Sequence, residues 1–385
     1  MNLHRPSAPA PQRRTILIAG GGTGGHLMPA LAIAEELRRR RPDLEPVMVG
    51  AHRGIEAQLL PTRGFRYHLL SIEPLYRRQW WKNFRLPLVA LRVRRELRRI
   101  FAEERPALVL GTGGYASAPA VWYAARHGIP TAIQEQNAWP GLATKQLAGL
   151  VKEIYLGLPE AKERLRLPRG TRVWDTGNPI TPPDPALRAV ARAKFGIPAD
   201  AKVLLVTGAS QGAVAINRAV AGWIDAGGAK EWTVIWSTGR GSYEEFKRYH
   251  APPKVHVHGF IDPMAEAYAV ADLAVARGGM MTGAELCAWG IPSIIIPLPS
   301  AAADHQTGNA VALEVAGAAV HLPQSELSTL TLGRTIEEIL TNEPRWKQMA
   351  ARAKARGRPY AAEAIVGHLA ALLGPSALSQ AQENH

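Results

Sequence analysis

Residues 259–309 read GFIDPMAEAYAVADLAVARGGMMTGAELCAWGIPSIIIPLPSAAADHQTGN, and their pattern decides the fold. The middle holds a short apolar strand over 273–276, the loop RGGMMTG over 277–283 and a helix expected to begin near Thr282. A second apolar strand follows over 293–297. In a strand, glycine-rich turn and helix, the backbone can approach a ligand closely and free helix N–H groups point at it. Phosphate is the usual guest. Glu285, in the first helical turn, stands where a ribose hydroxyl could donate to it, or is simply an acid favoured by the helix dipole. Phe260 and Ile261 lie on a turn suited to a flat base, and Asp304, His305 and Gln306 form a polar group beyond the next strand. The stretch reads as a nucleoside-diphosphate clamp.

The same alternation recurs upstream. A buried-strand run at 15–19 meets GGGTGG (20–25) directly, and a helix over 28–40 follows with Leu27, Leu31, Ala34 and Leu37 on one face. Gly20, Gly22 and Gly25 fit the G-x-G-x-x-G dinucleotide spacing. That site also wants an acid at the end of the second strand to hold the ribose. Here the strand ends Gly50-Ala51-His52-Arg53, which weakens NAD and leaves only an Arg53 contact to a 2′-phosphate open. His26 stands at the mouth of the loop, where a dehydrogenase has no use for it. Further strands at 107–110 and 131–134 lead into GTGG (111–114) and EQN (135–137), with a helix over 117–126 between them. The Pro-rich run 177–185 reads as an interdomain linker. Beyond it the pattern restarts with a strand at 203–206, a loop at 207–213 and a helix at 214–223. Residues 324–371 are helical, broken near Gly357-Arg358-Pro359. Such a chain predicts parallel sheets with ligands at the carboxyl ends of their strands.

Composition agrees with that class. The chain has 385 residues, 46% of them hydrophobic, with 36 Gly and 30 Pro, which fits a turn-rich α/β protein of two domains. Its one cysteine, Cys287, excludes a disulfide framework and a cysteine-cluster zinc site and fits a reducing compartment. No apolar run nears the roughly 18 residues of a membrane span. The opening MNLHRPSAPAPQRR lacks the apolar core of a secretory signal. The outlier is a net charge of +14, concentrated at 76–100 in YRRQWWKNFRLPLVALRVRRELRRI. Arg77, Arg78, Lys82, Arg85 and five further arginines face a single acid, Glu96, and Trp80, Trp81 and Phe84 are interleaved with them. That mixture describes a surface that dips into a bilayer interface while its cations meet anionic headgroups. A solvated basic helix with Val93, Leu97 and Ile100 toward the core is the plain rival, and single-stranded nucleic acid is another.

Taken together, GGGTGGH (20–26), GTGGYASAP (111–119), EQNAWPG (135–141), TGNP (176–179), ASQGA (209–213) and the 259–309 stretch resemble the MurG family. These bacterial transferases move N-acetylglucosamine (GlcNAc) from UDP-GlcNAc to undecaprenyl-diphosphate-linked N-acetylmuramyl-pentapeptide (lipid I), giving lipid II for peptidoglycan synthesis. The resemblance implies the GT-B fold, an α/β architecture of two Rossmann-like domains facing across a cleft. Residues 15–179 would form the acceptor and membrane-binding domain and 180–357 the UDP-sugar domain. A final helix at about 358–372 would return to the first, leaving tails at 1–14 and 373–385. By position, His26 matches the proposed general base; its plain alternative is a turn-holding hydrogen bond. Thr23, Gly24, Gly25, Asn137, Ser210, Ile261, Met280, Met281, Thr282, Glu285, His305 and Gln306 would contact the donor. Gly22, Gly113, Gly114 and Tyr115 would cradle the acceptor diphosphate. Asn137, His305 and Gln306 could instead be ordinary turn or surface residues, and Thr23 and Thr112 could be helix caps. Trp80, Trp81, Phe84, Arg77, Arg78 and Lys82 would meet the membrane.

The implied chemistry is inverting attack by the C4 hydroxyl of N-acetylmuramic acid, aided by a neutral imidazole, with no metal and no cofactor. The implied setting is peripheral, at the cytoplasmic face of an anionic membrane, with other cell-wall synthesis proteins as partners and no nucleic acid. The chain departs from the family at Thr181, where many members carry Arg; Arg277 is the candidate replacement cation. Another GT-B UDP-sugar enzyme, a glycolipid glycosyltransferase or UDP-GlcNAc 2-epimerase, is the alternative.

Overall fold

Neither Ile16, Leu17, Ile18 and Ala19 nor Val203, Leu204, Leu205 and Val206 expose any surface. Strands apolar at every position need cover on both faces, which parallel sheets flanked by helices provide. The computed structural model describes residues 13–73, 84–208 and 212–374. Its first half runs β1 (Arg14–Ala19), α1 (Gly24–Arg40), β2 (Leu44–Ala51), α2 (Glu56–Leu59), β3 (Arg66–Leu70) and α3 (Leu86–Glu104). It continues with β4 (Leu108–Gly111), α4 (Ser117–Arg126), β5 (Thr131–Glu135), α5 (Leu142–Leu147), β6 (Glu153–Leu156) and β7 (Arg172–Asp175). These seven strands form one parallel sheet in the order β3-β2-β1-β4-β5-β6-β7.

The second half runs α6 (Leu187–Lys194), β8 (Val203–Thr207), α7 (Val214–Asp225), β9 (Thr233–Ser237), α8 (Tyr243–Phe246) and β10 (Val255–His258). Next come α9 (Met264–Val270), β11 (Leu273–Ala276), α10 (Met280–Trp289), β12 (Ser293–Ile295), α11 (His305–Val315) and β13 (Ala319–His321). Its six strands are ordered β10-β9-β8-β11-β12-β13, again all parallel. Three helices close the chain: α12 (Thr329–Leu340), α13 (Glu343–Arg356) and α14 (Ala361–Leu373). The last packs its buried Ile365, Val366 and Leu369 with Ile16, Ile18 and Leu27, so the C-terminal helix covers the first sheet.

Strand order reverses between β1 and β4 in one sheet and between β8 and β11 in the other. There the loops after neighbouring strands diverge and leave a crevice. The register sets Ala19 beside Gly111 and Ala276 beside Thr207. The glycine-rich run 20–25 therefore meets 111–114, and Gly208, just after β8, leads off beside the start of 277–279.

Two helices start earlier than the sequence pattern suggests. α1 begins at Gly24 rather than Met28, so His26 lies in its first turn. α10 begins at Met280 rather than near Thr282, with extended Gly279 as its N-cap, which moves Glu285 into the second turn.

Candidate active site

The first glycine-rich loop is wrapped around a carboxylate. Glu56, with no exposed surface, accepts from the Gly22 N–H at 3.0 and 2.9 Å and from the Ala51 N–H at 2.9 Å. A Cβ on Gly21, Gly50 or Gly54 would overlap its side chain, so these glycines make room for it. This corrects two sequence readings. The dinucleotide spacing at 20–25 serves an internal anion, and the Gly22 N–H is not free for an acceptor diphosphate. Gly22 instead supports Tyr115, whose ring would stand 2.6 Å from a Cβ there. The free N–H groups lie on the next residues, at the start of α1, around Thr23, Gly24 and Gly25. Thr23 is the N-cap by position, but its side chain makes no capping bond. Thr112 is not a cap: it is fully buried and donates to the His26 carbonyl at 2.9 Å, joining the loops after β1 and β4.

His26 projects between those loops. Its Nδ1 lies 3.0 Å from Gln136 Oε1, and a Cβ on Gly113 would approach that nitrogen to 2.6 Å. Burial holds the imidazole below its ordinary value of 6.5; the Glu135 carboxylate opposes the shift and His305, across the cleft, adds to it. The ring is thus neutral near pH 7, as a general base requires. Glu135 is itself occupied. Its oxygens accept from the Asn137 and Gly141 N–H groups, from Asn137 Nδ2 and, at 2.5 Å, from the Thr144 hydroxyl.

The second lobe brings α10 to the cleft by its N-terminus. Met280 is 5% exposed with its side chain in the core, and it opens the first turn, whose N–H groups have no intrahelical partner, with Met281 and Thr282 following. Glu285 accepts from the Tyr268 hydroxyl at 2.8 Å. Burial raises its carboxyl, partly offset by that bond, and lifts the Tyr268 phenol well above its ordinary value. The Ile261 side chain is also core, leaving its backbone at the turn beside exposed Phe260. Gln306 Oε1 accepts from the Leu298 N–H at 2.9 Å, and His305 Nδ1 lies 2.6 Å from the Ala302 carbonyl. Ala303 and Asp304 just before them are left-handed at φ 52° and 53°, a strained pair at the mouth of the cleft. Arg277 gives its NH1 to the Ile296 and Pro297 carbonyls at 3.2 and 3.1 Å, a structural commitment that weakens it as a phosphate-facing cation.

One cavity of about 1680 Å³ joins the lobes, lined by Thr23, Gly25, His26, Gly113, Gly114 and Tyr115 on one side and Met280, Met281, His305 and Gln306 on the other, with Asn137 between. Ile261, Thr282 and Glu285 lie outside that lining on the second lobe. Ser210 lies outside the described residues, as do Arg77, Arg78, Trp80, Trp81 and Lys82. Among the described residues no group of carboxylate, His or Cys side chains is arranged to hold a metal ion.

Sequence reasoning missed Asn309. Buried at 1% exposure, it accepts from the Ala138 N–H at 2.9 Å and donates to Asn137 Oδ1 and the Gly278 carbonyl, each at 3.0 Å. The signal was available: an amide inside an apolar helix needs partners.

The glycosyltransferase family 28 N-terminal domain matches residues 16–156, and the family's C-terminal domain matches 203–365. A relative from Salinibacter ruber named UDP-N-acetylglucosamine--N-acetylmuramyl-(pentapeptide) pyrophosphoryl-undecaprenol N-acetylglucosamine transferase is 39% identical over 363 residues, covering 93% of this chain and 96% of its own. The chain belongs to this transferase family. Among solved structures, Acinetobacter baumannii MurG superposes with a TM-score of 0.74 at 25% identity, over 92% of this chain and 99% of that one. A UDP-GlcNAc 2-epimerase from Neisseria meningitidis gives 0.60 at 16% identity, over 93% of this chain and 99% of its own, a likeness of fold alone. The family's two-lobed fold thus accounts for the paired sheets and for the cleft between them.

The first lobe leaves several large apolar side chains exposed on and beside α3 and α4. Phe84 is 75% exposed, Leu88 on α3 73% and Trp122 on α4 47%, while Val93, Leu97 and Ile100 turn inward. No helix among the described residues is long and apolar enough to cross a membrane.

Proposed function

We propose that this enzyme transfers GlcNAc, with inversion, from UDP-GlcNAc to the C4 hydroxyl of N-acetylmuramic acid in lipid I, giving lipid II. The observation that carries the reading is one cleft in which a neutral His26 from the first lobe faces the N-terminus of α10 from the second. The donor diphosphate lies at Met280, Met281 and Thr282, where free N–H groups and the helix dipole offset the charge that UDP gains on leaving. Glu285 accepts from ribose hydroxyls, the Ile261 backbone holds the base, and Gln306, His305 and Asn137 surround the sugar. The acceptor diphosphate rests against Gly113, Gly114 and Tyr115; the free N–H groups around Thr23, Gly24 and Gly25, expected from the resemblance to meet the donor, line the same side of the cleft and are assigned to the acceptor instead. Phe84, Leu88 and Trp122, with the basic segment before them, rest on an anionic membrane at its cytoplasmic face.

A transfer assay with radiolabelled UDP-GlcNAc and a lipid-diphosphate acceptor tests the reaction. His26→Ala is expected to lower kcat by about 10²–10⁴-fold with donor affinity kept; undiminished turnover removes His26 as the base. Turnover of UDP-GlcNAc without acceptor would instead reveal an epimerase.

A further inference from the structure

We propose that Gln136 is a positioning residue that holds His26 as its Nδ1–H tautomer, so that Nε2 presents its lone pair to the acceptor hydroxyl. The inference rests on His26 being the base of the reaction just described. In that step the hydroxyl oxygen bonds to the anomeric carbon, the bond from that carbon to UDP breaks with its electron pair leaving on UDP, and the hydroxyl proton moves to Nε2.

The orientation of the Gln136 amide is set by groups that have no choice. Its Nε2 lies 2.7 Å from the Thr112 carbonyl, which can only accept, so the nitrogen must face that way and Oε1 must face His26. A second chain of amides fixes the same sense. Asn178 Nδ2 donates to the Gln136 carbonyl at 3.0 Å, which turns Asn178 Oδ1 toward Gln134 Nε2 at 2.9 Å. Gln134 Oε1 is thereby left to accept from Gln136 Nε2. Both chains end on a backbone carbonyl, so the direction propagates without ambiguity, and Nδ1 of His26 can only donate. All three amides are buried at 3% exposure or less, so water does not compete for them. Among the described residues Nε2 has no hydrogen-bond partner, and it is the nitrogen left for chemistry.

An amide suits this post better than an acid. A carboxylate against Nδ1 would raise the basicity of the ring and its protonated fraction near neutrality. A neutral acceptor fixes the tautomer and, although its hydrogen bond also raises the ring, it adds no charge attraction to the protonated form. The nearby Glu135 carboxylate is kept busy with the turn at 137–144 instead. Asn178 belongs to the segment that leads out of the first lobe, so the direction of the base is anchored at the lobe boundary.

The experiment is ¹⁵N-histidine NMR of the full chain, with His26→Gln assigning the resonances, beside kinetics of Gln136→Met and Gln136→Glu. Wild-type His26 is expected to carry its proton on Nδ1. Gln136→Met is expected to lose that preference and about 10²-fold in kcat, with the UDP-GlcNAc KM nearly unchanged. Gln136→Glu restores the acceptor, recovers part of the turnover and moves the acid limb of the pH profile upward. An Nε2–H tautomer in the wild type overturns the proposal, and that measurement holds even where Gln136→Met fails to fold. A Gln136→Met enzyme with wild-type kcat and pH profile overturns it too. Full turnover by His26→Ala would instead sink the base reading, a failure the NMR result keeps separate.

Discussion

Glu56→Ala is the sharpest test of how the first loop is built. The substitution leaves the Gly22 and Ala51 N–H groups, now held at 2.9–3.0 Å, without their acceptor, the Ala51 group fully buried and the Gly22 group partly so. Each orphaned donor costs about 1–3 kcal/mol. Removing a buried charge that has no ion-pair partner among the described residues relieves part of this, since its desolvation is no longer required. The space opened beneath Gly21, Gly50 and Gly54 adds a cavity term of the opposite sign. The net expectation is about 2–4 kcal/mol lost from the first lobe. With a slope of roughly 2 kcal/mol/M in urea, its midpoint falls by about 1–2 M. The loop that carries Thr23–His26 is then free to swing, so kcat should fall while UDP affinity, assigned above to the other lobe, should stay. Urea unfolding followed by tryptophan fluorescence, with UDP binding measured in parallel, gives both numbers. A loss under about 0.5 kcal/mol, the scale of an ordinary surface change, would refute the reasoning. So would an equal loss of UDP affinity.

Other expectations follow from single contacts. Gly114→Ala puts a Cβ into the Gly21 carbonyl at φ 77°, so the loops after β1 and β4 must part; if they hold the acceptor as proposed, kcat/KM for the lipid should fall by about tenfold or more while donor KM holds. Burial holds His26, His256 and His258 below 6.5, so below that value the unfolded chain binds more protons than the native one. Stability is therefore complete above 6.5 and declines as pH falls, by at most about 1.4 kcal/mol per pH unit for each group, which urea midpoints at about pH 7 and about pH 5.5 will show. Burial raises Asp272 and Glu285 and works in the opposite direction, nearer the carboxylate range. Phe84→Asp with Leu88→Asp should weaken sedimentation with anionic vesicles while leaving turnover of a short-chain, detergent-free acceptor intact; undiminished vesicle binding would remove that face from the membrane.

What the sequence made legible is what periodicity and glycine spacing can carry. Apolar runs ending in Gly-rich turns gave β1, β4, β8 and β11, and the four loops that meet at the two reversals of strand order are the four Gly-rich motifs. β6 and β7 were not legible, for a physical reason. Glu153 on β6 looks like a surface residue until Arg172, its partner in register on β7, and the Tyr155 hydroxyl at 2.6 Å are placed against it. That pairing exists only once the sheet forms. Glu56 was hidden likewise, because the groups it satisfies come from a loop 34 residues away. α10 starts two residues before the pattern suggests, because Met280 and Met281 fall in the run 277–283 that reads as a loop; the signal overlooked was Gly279, an N-cap that needs no side chain. Gln136 was quoted as part of a motif but given no role, since the direction of an amide is a property of its neighbours.

Those neighbours also explain how two lobes can hold a reacting pair in register. Bond formation needs the attacking oxygen and the anomeric carbon within about 3–3.5 Å, a tolerance that floppy loops do not meet. On one side of the cleft Asn309 ties the Gly278 carbonyl, one residue before the α10 cap, to Asn137 and Ala138 of the first lobe. Trp139 is wedged beside it: a Cβ on Gly308 would lie 2.5 Å from its ring, and Ala138 is counted in the second lobe's core. On the other side Arg356 pairs with Glu160 at 2.5 Å and Arg358 with Asp175 at 3.2 Å, where α13 gives way to α14. The donor cap and the histidine are therefore fixed relative to one another by buried amides and by an aromatic wedge. Asn137, assigned above to the sugar, lines the cleft and is a member of that clasp, so any opening of the lobes must first break a contact in the cleft wall. Donor binding and lobe closure then share one free energy: a sugar that engages Asn137 favours the closed arrangement by as much as closure favours the sugar.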